Sequence, residues 1–252
     1  FILCGGLGTR LDYEGKVIAK PMVRVGPDPI LMHIIKNFCN QNFNEFIFCL
    51  GYKSNTIADY FLKEKTKKVD RKKLNKNYIR FNYNSKSLNF KGHLIYTGLN
   101  SGTGGRILKS YNMLNLNEDI LMTYGDGLSN VNLDKLLKFH KKNKKKITMT
   151  AVHPPARFGE LEINNNIVKK FEEKPQLQKG WINGGFFVVE PEFLKFIGNK
   201  NVMLERSPMK KAVKTKNLAA FKHGGFWFCM DTLRDKKVLE EMIKNKKSPW
   251  LK

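Results

Sequence analysis

Acidic side chains are scarce in this chain: 22 Asp and Glu stand against 46 Lys and Arg, a formal net charge of +24. That balance attracts anions of every kind and is wrong for an acidic, cation-collecting surface. Long hydrophobic runs are missing as well. No stretch approaches the roughly 18 apolar residues of a membrane-spanning helix, and the first residues lack the basic start and apolar core of a secretion signal. Cysteine is sparse: Cys4, Cys39, Cys49 and Cys229 sit in apolar surroundings with no CxxC spacing, which speaks against a disulfide framework and against a zinc knuckle. A soluble cytoplasmic protein with reduced thiols and no membrane partner is the expectation. The chain begins at Phe1 inside a predicted strand, so a few residues are expected to precede it.

Nucleic-acid signatures are also lacking. The lysine excess gathers at residues 63–76, 141–146 and 244–247, among many asparagines. A basic surface is the electrostatic footprint of a phosphate-backbone binder, yet there is no zinc-finger spacing, no RNP-type aromatic motif and no basic heptad array. The runs read as solvated faces, and no specific nucleic acid is expected. The five histidines form no recognisable triad with a serine or cysteine.

What is present is a chain of 252 residues, 41% hydrophobic and 12% aromatic, enough to bury a full core. Short apolar segments alternate with amphipathic ones. Strands are predicted at 1–4, 45–50, 93–97, 119–124 and 147–152, with helices at 29–39, 55–62, 105–114 and 133–142. Spacing of this kind predicts βαβ crossovers and an α/β, Rossmann-like, mostly parallel sheet flanked by helices. Residues 63–92 interrupt the rhythm. They are polar, basic and dotted with single aromatics, and read as a loop or hairpin that could serve as a lid or an oligomer contact. After residue 152 come two short strands at 158–163 and 167–172 around an asparagine turn, a long apolar run at 181–189 and a helix at 232–245. These predict a smaller β-rich subregion.

Several motifs lie where such a sheet places ligands. In LCGGLGTRL, Gly5, Gly6 and Gly8 follow the first strand and leave backbone amides bare, while Arg10 supplies a permanent fork of donors; phosphate fits such a turn. A ligand-free strand-to-helix turn fits it too. It is neither a P-loop nor GxGxxG, since Leu11 stands where the third glycine belongs. Lys20 precedes Pro21 and Met22. TGGR, with Thr103 and Arg106 at its ends, opens a helix and offers amides to an anion or a base edge, or is a helix capped by Thr103. Asp126 in TYGDG and Asp231 in MDTLRD each follow an apolar segment, and two carboxylates beside phosphates suit Mg²⁺; DG alone is also a plain turn. FEEKP carries Glu173 and Lys174. In INGGFFV, Gly184 and Gly185 after Asn183 mark either a close ligand approach or a bulge.

In this order, GGLGTR, the Lys-Pro-Met triplet, TGGR, YGDG, PPARFG, EEKP, INGGFFV and MDTLRD resemble the sugar-1-phosphate nucleotidylyltransferases over nearly the whole chain, to about residue 250. TYGDG, INGGFF and MDTLRD point to the branch that uses CTP; a sister enzyme using UTP, dTTP or GTP, or another sugar phosphate, is the alternative. A silent binding homologue would be expected to lose Asp126, Asp231 or Arg10, and all three are present. The resemblance implies one domain over 1–252, its nucleotide half at 1–152 and its sugar-phosphate half at 153–252. It implies that Leu3, Cys4, Gly5, Gly6, Leu7, Gly8, Thr9 and Arg10 surround the nucleotide with Lys20, Ser101, Thr103, Gly104, Gly105, Arg106 and Gly125. Gly159, Glu173, Lys174, Asn183 and Gly184 would line the sugar-phosphate pocket, and Asp126 and Asp231 would hold Mg²⁺. Arg10, Lys20 and Lys174 would carry the catalysis, and the enzyme would form a homo-oligomer. Cys4 stands where the family commonly has alanine, and Ile18 and Ala19 replace its Lys-Pro.

Overall fold

The computed structural model describes residues 1–6, 18–63, 68–154, 160–172, 180–198 and 201–251. Leu7, Gly8, Thr9 and Arg10, together with Gly159, Glu173 and Lys174, lie outside the described residues.

The first strand, β1 (Ile2–Cys4), has no polar face, and the reason is its place in the middle of the sheet. Ile2 and Cys4 pack into one hydrophobic cluster, and Phe1 and Leu3 into a second on the opposite side. Such a continuously apolar strand belongs to a sheet covered on both faces. A short antiparallel pair, β2 (Arg24–Val25) and β3 (Asp28–Pro29), leads into α1 (Ile30–Cys39), where extended Pro29 serves as the N-cap and Ile30, Ile34 and Phe38 are buried along one stripe. Next come β4 (Glu45–Leu50) and α2 (Ser54–Leu62).

The hairpin expected within residues 63–92 is present from Lys68 onward. β5 (Lys68–Asn75) and β6 (Tyr78–Asn84) form a hairpin that pairs through β7 (Asn89–Tyr96) with the main sheet. Phe81 and Tyr83 form the inner face of a period-2 pattern, joined by Phe90 of β7, while Tyr78, of opposite parity, stacks on His93. Phe81, Tyr83 and Phe90 are buried, with Tyr83 stacked on Phe90 at 4.7 Å and Phe81 on Phe61 at 5.3 Å. The lysine-rich β5 is the edge strand, where charge discourages further pairing.

The chain continues through α3 (Thr103–Met113), β8 (Ile120–Tyr124), β9 (Gly127–Ser129), α4 (Leu133–Asn143) and β10 (Ile147–Val152). Asn132 caps α4 by accepting from the Lys135 amide. β11 (Glu160–Asn164) and β12 (Ile167–Glu172) form a separate two-stranded hairpin, followed by β13 (Ile182–Val189), α5 (Pro191–Leu194), α6 (Ser207–Lys214), β14 (Leu218–His223), β15 (Trp227–Cys229) and α7 (Leu233–Lys244). TLRD is the start signal of α7: Thr232 and Asp235 form a reciprocal capping box.

The main sheet has nine strands in the order β14-β10-β13-β8-β1-β4-β7-β6-β5. Only β13 and β6 oppose the others, so the predicted mostly parallel sheet holds in direction. In the second half, β13 and β14 extend the main sheet beside β10, β15 pairs with β9 in a separate two-stranded sheet, and the β11–β12 hairpin stands apart with Leu161, Ile163, Ile167, Val168 and Phe171 exposed, so the smaller β-rich part consists of these two short sheets. Among the described residues no helix is long and apolar enough to cross a membrane.

Four histidines serve the fold. His33 bonds the Val25 carbonyl, His93 lies between Tyr78 and Glu45, His140 meets Thr148, and His223 meets Asn130. Burial lowers the pKa of all four below 6.5. The folded chain therefore holds them neutral while the unfolded chain takes up protons more readily, so stability falls as pH drops below about 6.5. Thermal unfolding between pH 7.5 and pH 5.5 is expected to show a falling Tm; a flat profile contradicts this.

Candidate active site

β1 is followed in the sheet by β4 and β7 on one side, after which the chain returns to lay β8 on the other. Open α/β sheets bind ligands at such a switch, beyond the carboxyl ends of their strands. A cleft of about 890 Å³ opens there. Leu3, Cys4, Gly5 and Gly6 line it from the end of β1, Tyr124 to Gly127 from the end of β8, Asn183 to Gly185 from β13, and Trp227, Cys229 and Asp231 from β15 and beyond.

Lys20, Asp126 and Asp231 meet at the centre. The Lys20 ammonium, on the 3-10 turn Lys20–Met22, donates to Asp126 Oδ2 and to Asp231 Oδ1, each at 2.6 Å. Burial alone would lower the pKa of this ammonium, but the charge of Asp126 and the hydrogen bonds to both carboxylates raise it well above its ordinary value. These residues lie 106 and 211 positions from Lys20 in the chain. Asp231 is held in place from its own backbone, whose amide donates to Asp235 at 2.9 Å.

The same place suits a metal ion. Donor atoms of Asp126, Cys229 and Asp231 all lie within 4.8 Å of one another. Two hard carboxylate oxygens fit a hard divalent cation that fills its shell with water or phosphate. Cys229 fits it poorly: burial and the nearby Asp126 push the thiol pKa well up, which keeps sulfur protonated.

Ser101, Thr103, Gly104, Gly105 and Arg106 do not all present free groups to the cleft. Helix α3 begins at Thr103, but its N-cap is Gly102, and the Thr103 hydroxyl donates to Glu205 instead of capping. The Gly105 amide donates to the Val202 carbonyl at 3.3 Å, and Ser101 Oγ donates to the Thr97 carbonyl at 2.6 Å. Arg106 borders the cleft yet is only 4% exposed. Its guanidinium makes five hydrogen bonds, to the carbonyls of Gly5, Leu50, Gly98 and Leu99 and to Thr97 Oγ1. The arginine expected at the base and ribose thus ties together the ends of β1, β4 and β7. Gly5 and Gly51 are glycines for this reason, since a Cβ on either would overlap the guanidinium.

In β13, the bulge reading of the glycine pair is the observed one. Pairing with β10 slips between Met149 and Ala151, and Gly185 adopts φ +82° with a Cβ position only 2.6 Å from the Tyr124 ring. The bulge brings Asn183 and Gly184 to the cleft, where the Gly184 carbonyl accepts from the Trp227 indole at 2.7 Å. Gly125 lies at the floor, its amide on the Leu3 carbonyl at 3.1 Å.

Sequence reasoning missed Tyr124, Trp227, Cys229 and Glu205. The first three carried a usable signal: Tyr124 and Cys229 end the strands that lead to Asp126 and Asp231, each two residues before its aspartate, and Trp227, two before Cys229, shares its side of β15. Glu205 carried none.

A Rossmann-like sheet with Gly5 and Gly6 lining the cleft after its first strand and two aspartates converging at its switch point defines a nucleotide-handling α/β enzyme. The chain belongs to the nucleotidyl transferase family, whose model matches residues 1–228. Its sequence groups with the glucose-1-phosphate cytidylyltransferases: it is 39% identical to the one from Salmonella typhimurium (strain LT2), over 99% of this chain and 97% of that protein. It is 35% identical to a probable glucose-1-phosphate cytidylyltransferase of Bacillus subtilis (strain 168), over 99% and 97%. The crystal structure of HddC from Yersinia pseudotuberculosis, at 21% identity, superposes with a TM-score of 0.69 over 96% of this chain and 97% of that one, a likeness of fold.

Proposed function

We propose that this chain catalyses the reaction of CTP with α-D-glucose 1-phosphate to give CDP-glucose and pyrophosphate, with Mg²⁺ as the metal. The observation that carries the reading is the convergence of Asp126 and Asp231 on one cation position in a cleft bordered by both Gly5–Gly6 after β1 and Asn183–Gly184. The relatives named above support the choice of nucleotide and sugar.

The residues account for the chemistry without a general base. A phosphate monoester loses its second proton near pH 6, so the sugar phosphate is already a competent nucleophile at neutral pH. Its oxygen attacks the α-phosphorus of the nucleotide in line, forming the new P–O bond as the bond to pyrophosphate breaks. The obstacle is anion meeting anion, and the protein's task is to neutralise charge and align the reactants. Asp126 and Asp231 would hold Mg²⁺, which supplies positive charge to the phosphates when bound. Lys20 is poised to offer its ammonium to a phosphate oxygen once a competing cation takes the carboxylates. Arg10 and Lys174 complete the proposed set of cations, Arg10 and the glycine turn on the nucleotide, and Lys174 with Gly159 and Glu173 on the sugar phosphate. The net charge of +24 draws both substrates in.

A cytoplasmic setting accords with four free cysteines. Homo-oligomer formation is part of the reading, supported by the exposed apolar row on the β11–β12 hairpin. The test is pyrophosphate release with Mg²⁺ and glucose 1-phosphate against CTP, UTP, dTTP, GTP and ATP. Release with CTP alone is expected; release with another nucleotide alone overturns the base, and none with any overturns the reaction.

A further inference from the structure

We infer that Glu205 is a positioning residue that couples the nucleotide end of the cleft to its sugar end. The inference rests on the proposed reaction and deepens it.

The coupling begins with backbone packing. The segment before α6 crosses the start of α3, where the Val202 carbonyl accepts from the Gly105 amide. A Cβ on Gly102 would overlap that carbonyl, and one on Gly104 would lie 3.2 Å from it. Glycines that look like a ligand-binding turn therefore seat this segment, and they bring Glu205 over Thr103.

From there two chains of hydrogen bonds converge on one carboxylate. On the nucleotide side, the Leu204 amide donates to Thr103 Oγ1 at 2.8 Å, and the Thr103 hydroxyl donates to Glu205 Oε2 at 2.6 Å. On the sugar side, the Gly185 amide donates to Asn183 Oδ1 at 2.9 Å, Asn183 Nδ2 donates to the Tyr124 hydroxyl at 3.3 Å, and that hydroxyl donates to Glu205 Oε1 at 2.5 Å. Every donor points toward Glu205. Burial and the adjacent Glu205 charge raise the Tyr124 pKa well above its usual value, so the phenol remains a donor.

Thr103, Tyr124 and Asn183 all border the cleft. A negative charge beside a cleft for two polyanions works against binding them, so what Glu205 contributes is a pair of acceptor oxygens. Only an ionised carboxylate accepts from both hydroxyls at once; an amide offers one acceptor oxygen and has to reverse one of the two chains.

Steady-state kinetics on four variants tests the coupling. Glu205→Ala is expected to raise KM for CTP and KM for glucose 1-phosphate, each about fivefold or more, with a smaller change in kcat. Thr103→Val is expected to raise KM for CTP alone, and Tyr124→Phe that for glucose 1-phosphate alone. Glu205→Gln, which keeps one arm, is expected to restore one KM more than the other. Adding Tyr124→Phe to Glu205→Ala is expected to leave the KM for glucose 1-phosphate where Glu205→Ala put it, since both changes cut the same chain. Unchanged KM values in Glu205→Ala, or equal effects of Tyr124→Phe on both substrates, overturn the inference. If the wild-type protein turns over no substrate pair, the proposed reaction fails, and the coupling is read instead from calorimetric binding of CTP alone and glucose 1-phosphate alone to the same variants, with the same pattern expected.

Discussion

Exchanging Lys20 for methionine is expected to move two measurements in opposite directions. Turnover of CTP and glucose 1-phosphate falls by on the order of 10²-fold or more, as for the loss of one preorganised contact to developing charge. Mn²⁺, used as a spectroscopic and calorimetric stand-in for Mg²⁺, binds the enzyme without substrates at least about tenfold more tightly. The reason is the position of the ammonium, 2.6 Å from both Asp126 and Asp231. In the absence of substrates Lys20 is itself the cation that these carboxylates hold, and any divalent ion has to displace it. Methionine keeps an unbranched stem of similar reach and removes the charge. Titration of Mn²⁺ by calorimetry and a pyrophosphate assay on the same variant check both halves. Unchanged Mn²⁺ affinity means that the ion binds away from these carboxylates; undiminished turnover removes Lys20 from the phosphates.

Arg106→Met is expected to lower stability by about 4 kcal/mol, roughly 10 °C in Tm for a chain of this size. Removing a guanidinium that is 4% exposed takes the donor from Thr97 Oγ1 and from the Gly98 and Leu99 carbonyls and leaves Gly5 with only the Tyr52 amide, while Leu50 keeps the Thr97 amide and hydroxyl; each lost donor costs about 1–3 kcal/mol before relaxation. Arg106→Lys keeps the charge but lacks the planar fork that reaches carbonyls at the ends of three strands, and is expected to recover less than half of the loss. Thermal melts of both variants decide the matter. A Tm near wild type accompanied by a raised KM for CTP returns Arg106 to the nucleotide and contradicts the structural role.

These two residues show where reading a chain stops and folding takes over. The alternation of apolar strands and amphipathic helices, the capping signal TLRD and the glycine turn after β1 are local properties, and local periodicity depends only on neighbouring side chains. They suffice for a Rossmann-like sheet and for placing Asp126 and Asp231 at strand ends. The aromatics at 78–90 carried a strand pattern that their polar, basic neighbours obscured, and pairing with β7 decided it. Pairwise partners lie beyond such reasoning. Nothing local to TGGR distinguishes an arginine that faces a ligand from one that knots three strand ends together, because Gly5 and Leu50 reach it from 101 and 56 positions away. Nothing local to LERS shows that a glutamate will receive Thr103 and Tyr124. The sequence by itself determined the apolar strands and amphipathic helices of the sheet and which motifs lie at their ends. Only the tertiary structure decided which donor meets which acceptor, since a buried polar group takes whatever partner packing brings within reach, and packing is set by the whole sheet at once.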